Sequence, residues 1–391
     1  MAKVILTPHR KKRIERGHPW VFKTEIEKIE GSFDPGDLVE VYDFKGRFLG
    51  KGYINPRSQI TVRILTRKKE EEIDRDFFKK RIKEAFEYRQ RLGISGSFRL
   101  VYGEADFLPA LIVDKFEDVF VIQTLALGME KFKEVIVDVL REMFQPLGIY
   151  ERNDVPVREL EGLPLTKGCL YGEVPEKILI EENGLKLYVD VINGQKTGYF
   201  FDQRENRRAI GPLVKGAEVL ECFCYTGSFA LSAAHFGAKK VLAYDASREA
   251  IELAKENAAL NGFEDIVEFH EGNAFDVLRY FYDTGRKFDV AILDPPAFAK
   301  NKQALEGAVR GYKEINLRAI KILKPGGFLI TSSCSHHVSE ELFWEIIESA
   351  AWDARATLRV VETRTQAKDH PILAASDETR YLKFFMLQVI K

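Results

Sequence analysis

Cysteine is scarce in this 391-residue chain, with four in all and two of them one residue apart at Cys222 and Cys224. That is no disulfide framework, so a secreted, cross-linked scaffold is excluded and a reducing compartment is expected. The same spacing misses the gap of about two to four residues in structural zinc sites, so Cys222, Cys224, His336 and His337 are not expected to build a metal centre. Long apolar runs are absent as well. The longest, such as Val119 to Leu127, fall short of a bilayer span, and the basic N-terminus has no apolar stretch ahead of a small-residue cleavage site. A soluble, cytoplasmic protein with no membrane partner is the expectation. Charge of one sign is not in excess either: 59 Lys and Arg stand against 60 Asp and Glu, a net charge of -1. Whole-chain charge therefore points to no partner, although Arg10-Lys11-Lys12-Arg13 and Arg16 make the first segment basic. Neither an internal repeat nor a low-complexity tract is present.

Core material is plentiful: 45% of the residues are hydrophobic and 12% aromatic, and the length exceeds one ordinary domain. Three segments emerge. Up to residue 68 the pattern is short alternating runs (LVEVYDF, FLGKGYI, QITVRIL) broken by Gly and Pro, the pattern of a small β-barrel. The charged run Arg67 to Glu72 leads into a second segment, 69–184. It has a helix over Phe77 to Leu92, strands at Phe98 to Tyr102, Leu111 to Val113 and Val119 to Thr124, and a helix over Lys131 to Phe144, an α+β module. From 185 to 391 strand and helix alternate, with helices expected over Phe229 to His235, Arg248 to Asn261 and Gly311 to Leu323. Such alternation implies an α/β fold with a parallel sheet covered on both faces.

The reactive side chains of this last segment sit where apolar strands end, which is where open α/β sheets bind ligands. The first strand runs into Cys222-Phe223-Cys224-Tyr225-Thr226-Gly227, a turn with one glycine where a dinucleotide site usually has three. A ligand without phosphates is expected. Asp245 closes the next strand, where a carboxylate can accept both hydroxyls of a ribose. VAILDPPAF places Asp294 between a strand and two prolines, Pro295 and Pro296, that fix the backbone and remove two N–H donors. FLITSSCS places Cys334 at the end of the following strand. Each residue also has a plainer reading: Asp245 as a helix-start carboxylate, Gly227 as a tight-turn glycine, Asn273 as a turn residue, and Cys334 as a small buried apolar residue.

Taken in order, ECFCYTGSF, Asp245, Gly272-Asn273-Ala274-Phe275 and Asp294-Pro295-Pro296 resemble the class I S-adenosylmethionine-dependent methyltransferases. The resemblance implies a Rossmann-like domain that binds S-adenosylmethionine. Phe223, Tyr225, Thr226 and Gly227 would face its methionine part, Asp245 its ribose, and Asn273 and Ala274 its adenine, with Asp294 bordering the site. Asn273 stands where an acidic residue is common in that family.

Cytosine carbon 5 is a poor nucleophile. A thiolate attacking carbon 6 while an acid protonates ring nitrogen 3 converts the base into an enamine that accepts a methyl group, and Cys334 and Asp294 are the pair for those roles. His336 or His337 would lower the thiol pKa or take the carbon 5 proton; the sequence does not choose between these roles. Over nearly its whole length the chain resembles the ribosomal RNA large-subunit cytosine-5 methyltransferases of the RlmI type. The marks are Arg16-Gly17-His18-Pro19-Trp20-Val21-Phe22, Gly103-Glu104-Ala105-Asp106, Gln195 to Arg204, DPPAF, SSCS and Asp369-His370-Pro371. That family has an N-terminal β-barrel PUA domain, a central α+β domain and the methyltransferase domain. The resemblance implies a large-subunit ribosomal RNA partner, is compatible with a homodimer, and places Gln203, Arg204, Pro295, Pro296 and Phe298 about the cofactor or target pocket. Other RNA cytosine-5 methyltransferases commonly have a second cysteine where this chain has Pro296, so a single-cysteine mechanism is implied.

In a PUA-like barrel, Arg10, Lys11, Lys12, Arg13 and Arg16 would supply phosphate contacts, with His18 at the neighbouring turn. The plainer reading is a solvated helix face. Trp20 and Phe22 alternate on a strand-like segment and are expected in the core. Two other functions fit parts of the pattern: a guanine-nitrogen RNA methyltransferase in which Phe298 stacks on a flipped base, and a non-catalytic RNA-binding or assembly factor. Neither needs the Cys334 thiol.

Overall fold

The computed structural model describes residues 1–299 and 301–390. The chain divides into two compact units, Met1–Ile180 with Val189–Phe201 and Lys368–Thr379, and Glu181–Tyr188 with Asp202–Ala367 and Arg380–Lys391. Among the described residues no helix is long and apolar enough to cross a membrane.

The first unit opens with β1 (Ala2–Leu6), β2 (Trp20–Phe22), β3 (Ile26–Glu30), β4 (Leu38–Tyr42), β5 (Phe48–Ile54) and β6 (Ile60–Thr66). They form one sheet in the order β2-β6-β5-β4-β1-β3. Alternation sends Val4, Leu6, Val39, Val41, Val62 and Ile64 inward to a common core. At Gly52 a Cβ would lie 2.0 Å from the Arg63 carbonyl oxygen, so β5 meets β6 only because that residue has no side chain. The core expectation for Trp20 and Phe22 is corrected here. Val21 is the fully buried residue of β2, and its two neighbours face the other way, half-buried. The Trp20 indole donates to Glu104 at 2.8 Å and the Phe22 ring lies 4.1 Å beneath the Arg13 guanidinium. Strict alternation fixes that one face is inside without saying which.

After the charged link come α1 (Arg75–Arg91), β7 (Phe98–Tyr102), β8 (Leu111–Phe116), β9 (Val119–Thr124), α2 (Leu127–Lys131), α3 (Lys133–Phe144), β10 (Gly148–Asn153), α4 (Val157–Leu160) and β11 (Thr166–Gly172). The strands make a five-stranded sheet, β11-β10-β9-β8-β7. Asp74 caps α1 by accepting from the Phe77 N–H, and the helix buries Phe77, Phe78, Ile82 and Ala85 against the sheet core. At its end the buried Arg89 forks onto Asp106 and donates to the Asp369 carbonyl at 2.7 Å, while Asp369 accepts from the Arg99 N–H at 3.0 Å. Thus Asp369, one of the motif residues, ties the chain's return segment to this module.

In chain order there follow β12 (Ile178–Glu182), β13 (Leu185–Val189), α5 (Arg204–Ala209), α6 (Gly211–Val214), β14 (Glu218–Cys222), α7 (Ser228–His235), β15 (Lys240–Asp245), α8 (Arg248–Asn261), β16 (Val267–Glu271), α9 (Ala274–Asp283), β17 (Phe288–Leu293), α10 (Leu305–Ile322), β18 (Leu323–Ser333), α11 (Glu340–Asp353), β19 (Thr357–Arg364) and β20 (Lys383–Ile390). The second unit is built on a seven-stranded sheet in the order β16-β15-β14-β17-β18-β20-β19. The first five strands are parallel, as the alternation of strand and helix implies. Of the other two only β20 is reversed: it runs antiparallel both to β18 and to β19, which leaves β19 in the direction of the first five, so the wholly parallel sheet is corrected to a mixed one. The reason is in the connection, since β19 and β20 are joined without an intervening α-helix and β20 returns antiparallel beside β19. α10 also starts at Leu305, six residues ahead of the expected Gly311 (311 - 305 = 6). Gly311 lies inside it, at a point where a Cβ would press on the Phe298 ring at 3.2 Å.

Candidate active site

Sheet order reverses between β14 and β17, and the loops leaving these two strands open the crevice that such a reversal creates. β14 pairs with β17 through Cys222 and Leu293, and the Asp294 N–H reaches the Cys222 carbonyl at 3.4 Å. From Cys222 the chain makes a tight loop in which Phe223, Tyr225 and Gly227 all have positive φ, at 69°, 49° and 84°. Only Gly227 is cheap there, and a Cβ on it would strike Phe269 at 2.5 Å. The loop is held from the neighbouring strand end. Phe223 and Cys224 N–H groups both donate to the Tyr244 carbonyl, at 2.9 and 3.0 Å, and Asp245 accepts from the Tyr225 and Ser247 N–H groups at 2.9 Å each. Thr226 is buried, and its carbonyl accepts from Asn257 at 3.4 Å. Asn273 is exposed and caps α9 by accepting from the Phe275 N–H, while the next residue, Ala274, is buried.

Asp294 is fixed on one oxygen. Its Oδ1 accepts from Gln203 Nε2 at 2.8 Å and from the Ser332 hydroxyl. Burial pushes its carboxyl up and the charge of Asp202 adds to this, while the Ser332 and Gln203 hydrogen bonds oppose; the group stands at about 6. Gln203 is itself locked, accepting from Asn206 at 2.6 Å. Arg204 reaches Glu182 at 3.5 Å, and the buried Arg207 binds that same carboxylate by two bonds, at 2.6 and 3.0 Å.

Cys334 follows β18, part-exposed, with its thiol directed at the Pro295 carbonyl at 3.8 Å. Thus the structure brings the Asp294-Pro295 loop and the Cys334 turn together. Three serines surround the cysteine, and each pins something else: Ser332 holds Asp294, Ser333 donates to the Tyr312 hydroxyl at 3.0 Å, and Ser335 shares a 2.9 Å bond with that hydroxyl. Ser335 also accepts from the Ala299 N–H at 3.3 Å, which fastens the far end of the DPPAF loop. Pro295 is buried and Pro296 exposed. Phe298 lies in an aromatic group with Tyr312, Phe223 and Phe275, with centroid separations of 4.6, 6.2 and 6.1 Å. His336 and His337 are exposed, and the His336 ring tilts against Tyr381 at 5.4 Å.

The first segment has a different fate. Arg10 to Arg13 lie in turns, not on a helix. Arg10 forks onto Glu15 and Arg13 pairs with Glu25 at 2.9 Å, so Lys11, Lys12 and Arg16 are the exposed cations. His18 is buried, takes the Trp20 N–H on Nδ1 at 3.1 Å and faces Glu378 through Nε2 at 3.2 Å.

Two residues escaped sequence reasoning. Glu221 stands in β14 just before the loop, buried, with Oε2 lacking a hydrogen-bond partner among the described residues. Burial, with the charges of Asp294 and Asp245, pushes it well above the usual carboxylate range. Lys383 opens β20, buried, donating to the carbonyls of Ser335 at 2.8 Å and Tyr381 at 2.7 Å. Burial draws its ammonium down to about 8, against the opposing attraction of Cys334 and Glu340. The signal for both was a charged residue inside an apolar run, EVLEC and LKFFML.

Residues 4–67 match the PUA-like domain family, and residues 166–385 match the S-adenosylmethionine-dependent methyltransferase family. The chain is 46% identical over 394 residues to the ribosomal RNA large subunit methyltransferase I of Shewanella denitrificans, with 99% of each chain covered. It is 44% identical over 393 residues to the protein of that name from Aliivibrio fischeri, again with 99% of each covered. A solved Streptococcus mutans structure, described as a SAM-dependent methyltransferase, superimposes with a TM-score of 0.85 at 23% identity over 100% of both chains, a likeness of fold.

Proposed function

The chain belongs to the S-adenosylmethionine-dependent methyltransferases, in the family of the large-subunit methyltransferase I proteins, and from that premise we propose that it methylates carbon 5 of a cytosine in large-subunit ribosomal RNA. In this reading residues 1–68 and 69–184 handle RNA in the cytoplasm, and 185–391 carry the chemistry.

The residues present suit the cofactor. Glu221, Asp245 and Asp294 crowd one strand edge, and Arg207, a cation whose charge reaches Glu221, is already committed to Glu182. A buried carboxyl oxygen without a partner beside two further carboxylates is a poor arrangement for an empty protein and a good one for a ligand bearing a sulfonium and an ammonium. Asp245 would hold the ribose, the Phe223 to Gly227 loop the methionine part, and Asn273 and Ala274 the adenine edge. When bound, S-adenosylmethionine supplies an electrophilic methyl group.

The observation that carries the cytosine reading is the pairing of a part-exposed thiol, aimed at the Pro295 carbonyl, with a carboxyl raised to about 6 on the same loop. Cys334 as thiolate adds to carbon 6 of the base, and protonated Asp294 gives its proton to nitrogen 3, which places the electron pair at carbon 5. After methylation the carbon 5 proton leaves to a base, its electron pair restores the carbon 5–carbon 6 double bond as the sulfur–carbon bond breaks and returns Cys334 as thiolate, and nitrogen 3 gives its proton back to Asp294. Gln203 and Ser332 keep Asp294 pointed, and Lys383 places a positive charge near the thiolate. Phe298 with Pro296 walls the target side.

RNA containing 5-fluorocytosine at the target, given protein and cofactor, is the test. A denaturation-resistant protein–RNA adduct forms with unmodified protein and is lost in Cys334→Ala, because fluorine cannot leave as the proton does. An adduct-free Cys334→Ala enzyme that still yields 5-methylcytosine at the normal rate would remove the nucleophile. Methylated guanine as product would replace the reading with nitrogen methylation.

A further inference from the structure

Three motifs that the methyl-transfer site does not use meet in one place within the first unit. Arg16 and Gly17 of the Arg16 to Phe22 segment, Glu104 and Phe107 of the turn after β7, and Leu373 to Ala375 just beyond Asp369-His370-Pro371 line a cleft of about 700 Å³. Arg67 and Lys68, from the link after β6, complete it. We propose that this cleft is a single-stranded RNA subsite, gripping backbone phosphates with Arg16, Arg67 and Lys68 and stacking one base on Phe107. It rests on the RNA reading above and names where such RNA is held.

The charges of the cations are not neutralised by ion pairs among the described residues. Arg16 and Lys68 are exposed and have no acidic partner among the described residues, and Arg67 spends its guanidinium on the main-chain carbonyls of His18 and Leu49, at 3.0 and 3.2 Å. Their contrast with the neutralised Arg10 and Arg13 is direct. Phe107 is the second, independent sign. It is 51% exposed and has φ at 59°, a conformation costly for a bulky side chain. The turn is forced on it: Asp106 is clamped by Arg89 and by the Tyr102 N–H at 2.6 Å, and the Leu108 N–H closes onto the Gly103 carbonyl at 3.0 Å. Arg81 lies over the ring at 5.5 Å. A strained, rigidly presented aromatic beside unpaired cations is a stacking platform, and the volume lies in the range of about 300 to 1,000 Å³ typical of ligand sites. Exposed Asp377 on the rim offers an acceptor that a base amino group can use.

Anisotropy titrations of the full-length protein, without cofactor, against a labelled single-stranded oligoribonucleotide test this. Phe107→Asn should weaken binding by about fivefold or more, while its melting temperature does not fall, since Asn tolerates positive φ. The double variant Arg16→Ala, Lys68→Ala should flatten the salt dependence more than Lys11→Ala, Lys12→Ala does. Equal affinity of Phe107→Asn and the unmodified protein, equal salt slopes for the two double variants, or displacement of the RNA by polyglutamate as well as by unlabelled RNA would each overturn the subsite. Because no turnover is measured, a wrong methylation product would leave these results standing, and their failure would leave the product assignment untouched.

Discussion

The turns that end β14 and β18 both carry cysteine at the same edge of the same sheet, yet their surroundings have opposite sign. Cys222 and Cys224 are buried beside Glu221 and Asp245, and both burial and those carboxylates push their thiols upward. Cys334 is part-exposed and has the Lys383 ammonium in its neighbourhood. Acidic surroundings favour a cation and cationic surroundings favour a thiolate. One strand edge therefore has an acidic end and a cationic end, set apart by charge more than by residue type; in the proposed reading they are the cofactor end and the nucleophile end.

The largest expected effect is on thiol reactivity. Iodoacetamide on the native protein should modify Cys334, and the exposed Cys169, at least about a hundredfold faster than Cys222 or Cys224, read by peptide mapping. Comparable rates at all four before unfolding would erase the contrast. Next is the cofactor end. Asp245→Ala should weaken S-adenosylmethionine binding by roughly 1.5 to 3 kcal/mol through lost charge-assisted hydrogen bonds, measured by calorimetry on folded variant. Unchanged affinity would take Asp245 out of the site.

Asp294 gives a smaller effect with a definite sign. Its carboxyl stands at about 6 against the ordinary aspartate value of 3.8, so the folded state disfavours the charged form. The folded protein holds this proton more tightly than the unfolded chain, so the associated stability is full below the unfolded pKa and is lost as pH rises through about 6. Asp294→Asn keeps an acceptor for Ser332 and Gln203 without the charge. It should stabilise the protein at pH 7 by up to about 2 kcal/mol, allowing for partial exposure, and by little at pH 4, while abolishing proton donation. A variant no more stable at pH 7 would mean the carboxyl is well solvated.

The ordered strand ends were legible because apolar runs of strand length expose their termini to inspection: VAILDPP and FLITSSC announce Asp294 and Cys334, and β15 ends at Asp245 as read. The partners were not. Ser332, Tyr312 and Gln203 come from separate elements, and only packing brings their hydroxyl and amide groups to the site. Arg10 to Arg13 reads as a patch in one dimension and proves to be half neutralised, Arg10 by Glu15 and Arg13 by Glu25, which no local pattern announces. The C-terminal return, β19 and β20, was silent because exposed β19 lacks clean alternation and β20 is buried over most of its length, so neither shows a clear period.

The finest test of the contrast is Lys383. Its Nζ is anchored on the Ser335 and Tyr381 carbonyls, so the charge is held in place beside the turn that presents Cys334. Lys383→Met preserves much of the buried volume and removes that charge. Alkylation of Cys334 followed against pH should shift upward by about one unit, so that at pH 7 the variant reacts roughly tenfold more slowly. Since the ammonium stands at about 8, the unmodified protein loses the same advantage as pH rises past that value, and the two rate curves should converge in mild alkali. Lys383→Arg should keep the fast reaction and shed the convergence, because a guanidinium does not titrate there. Slowing by the same factor at every pH would mark Lys383 as a packing residue, and would leave burial alone to distinguish Cys334 from Cys222 and Cys224.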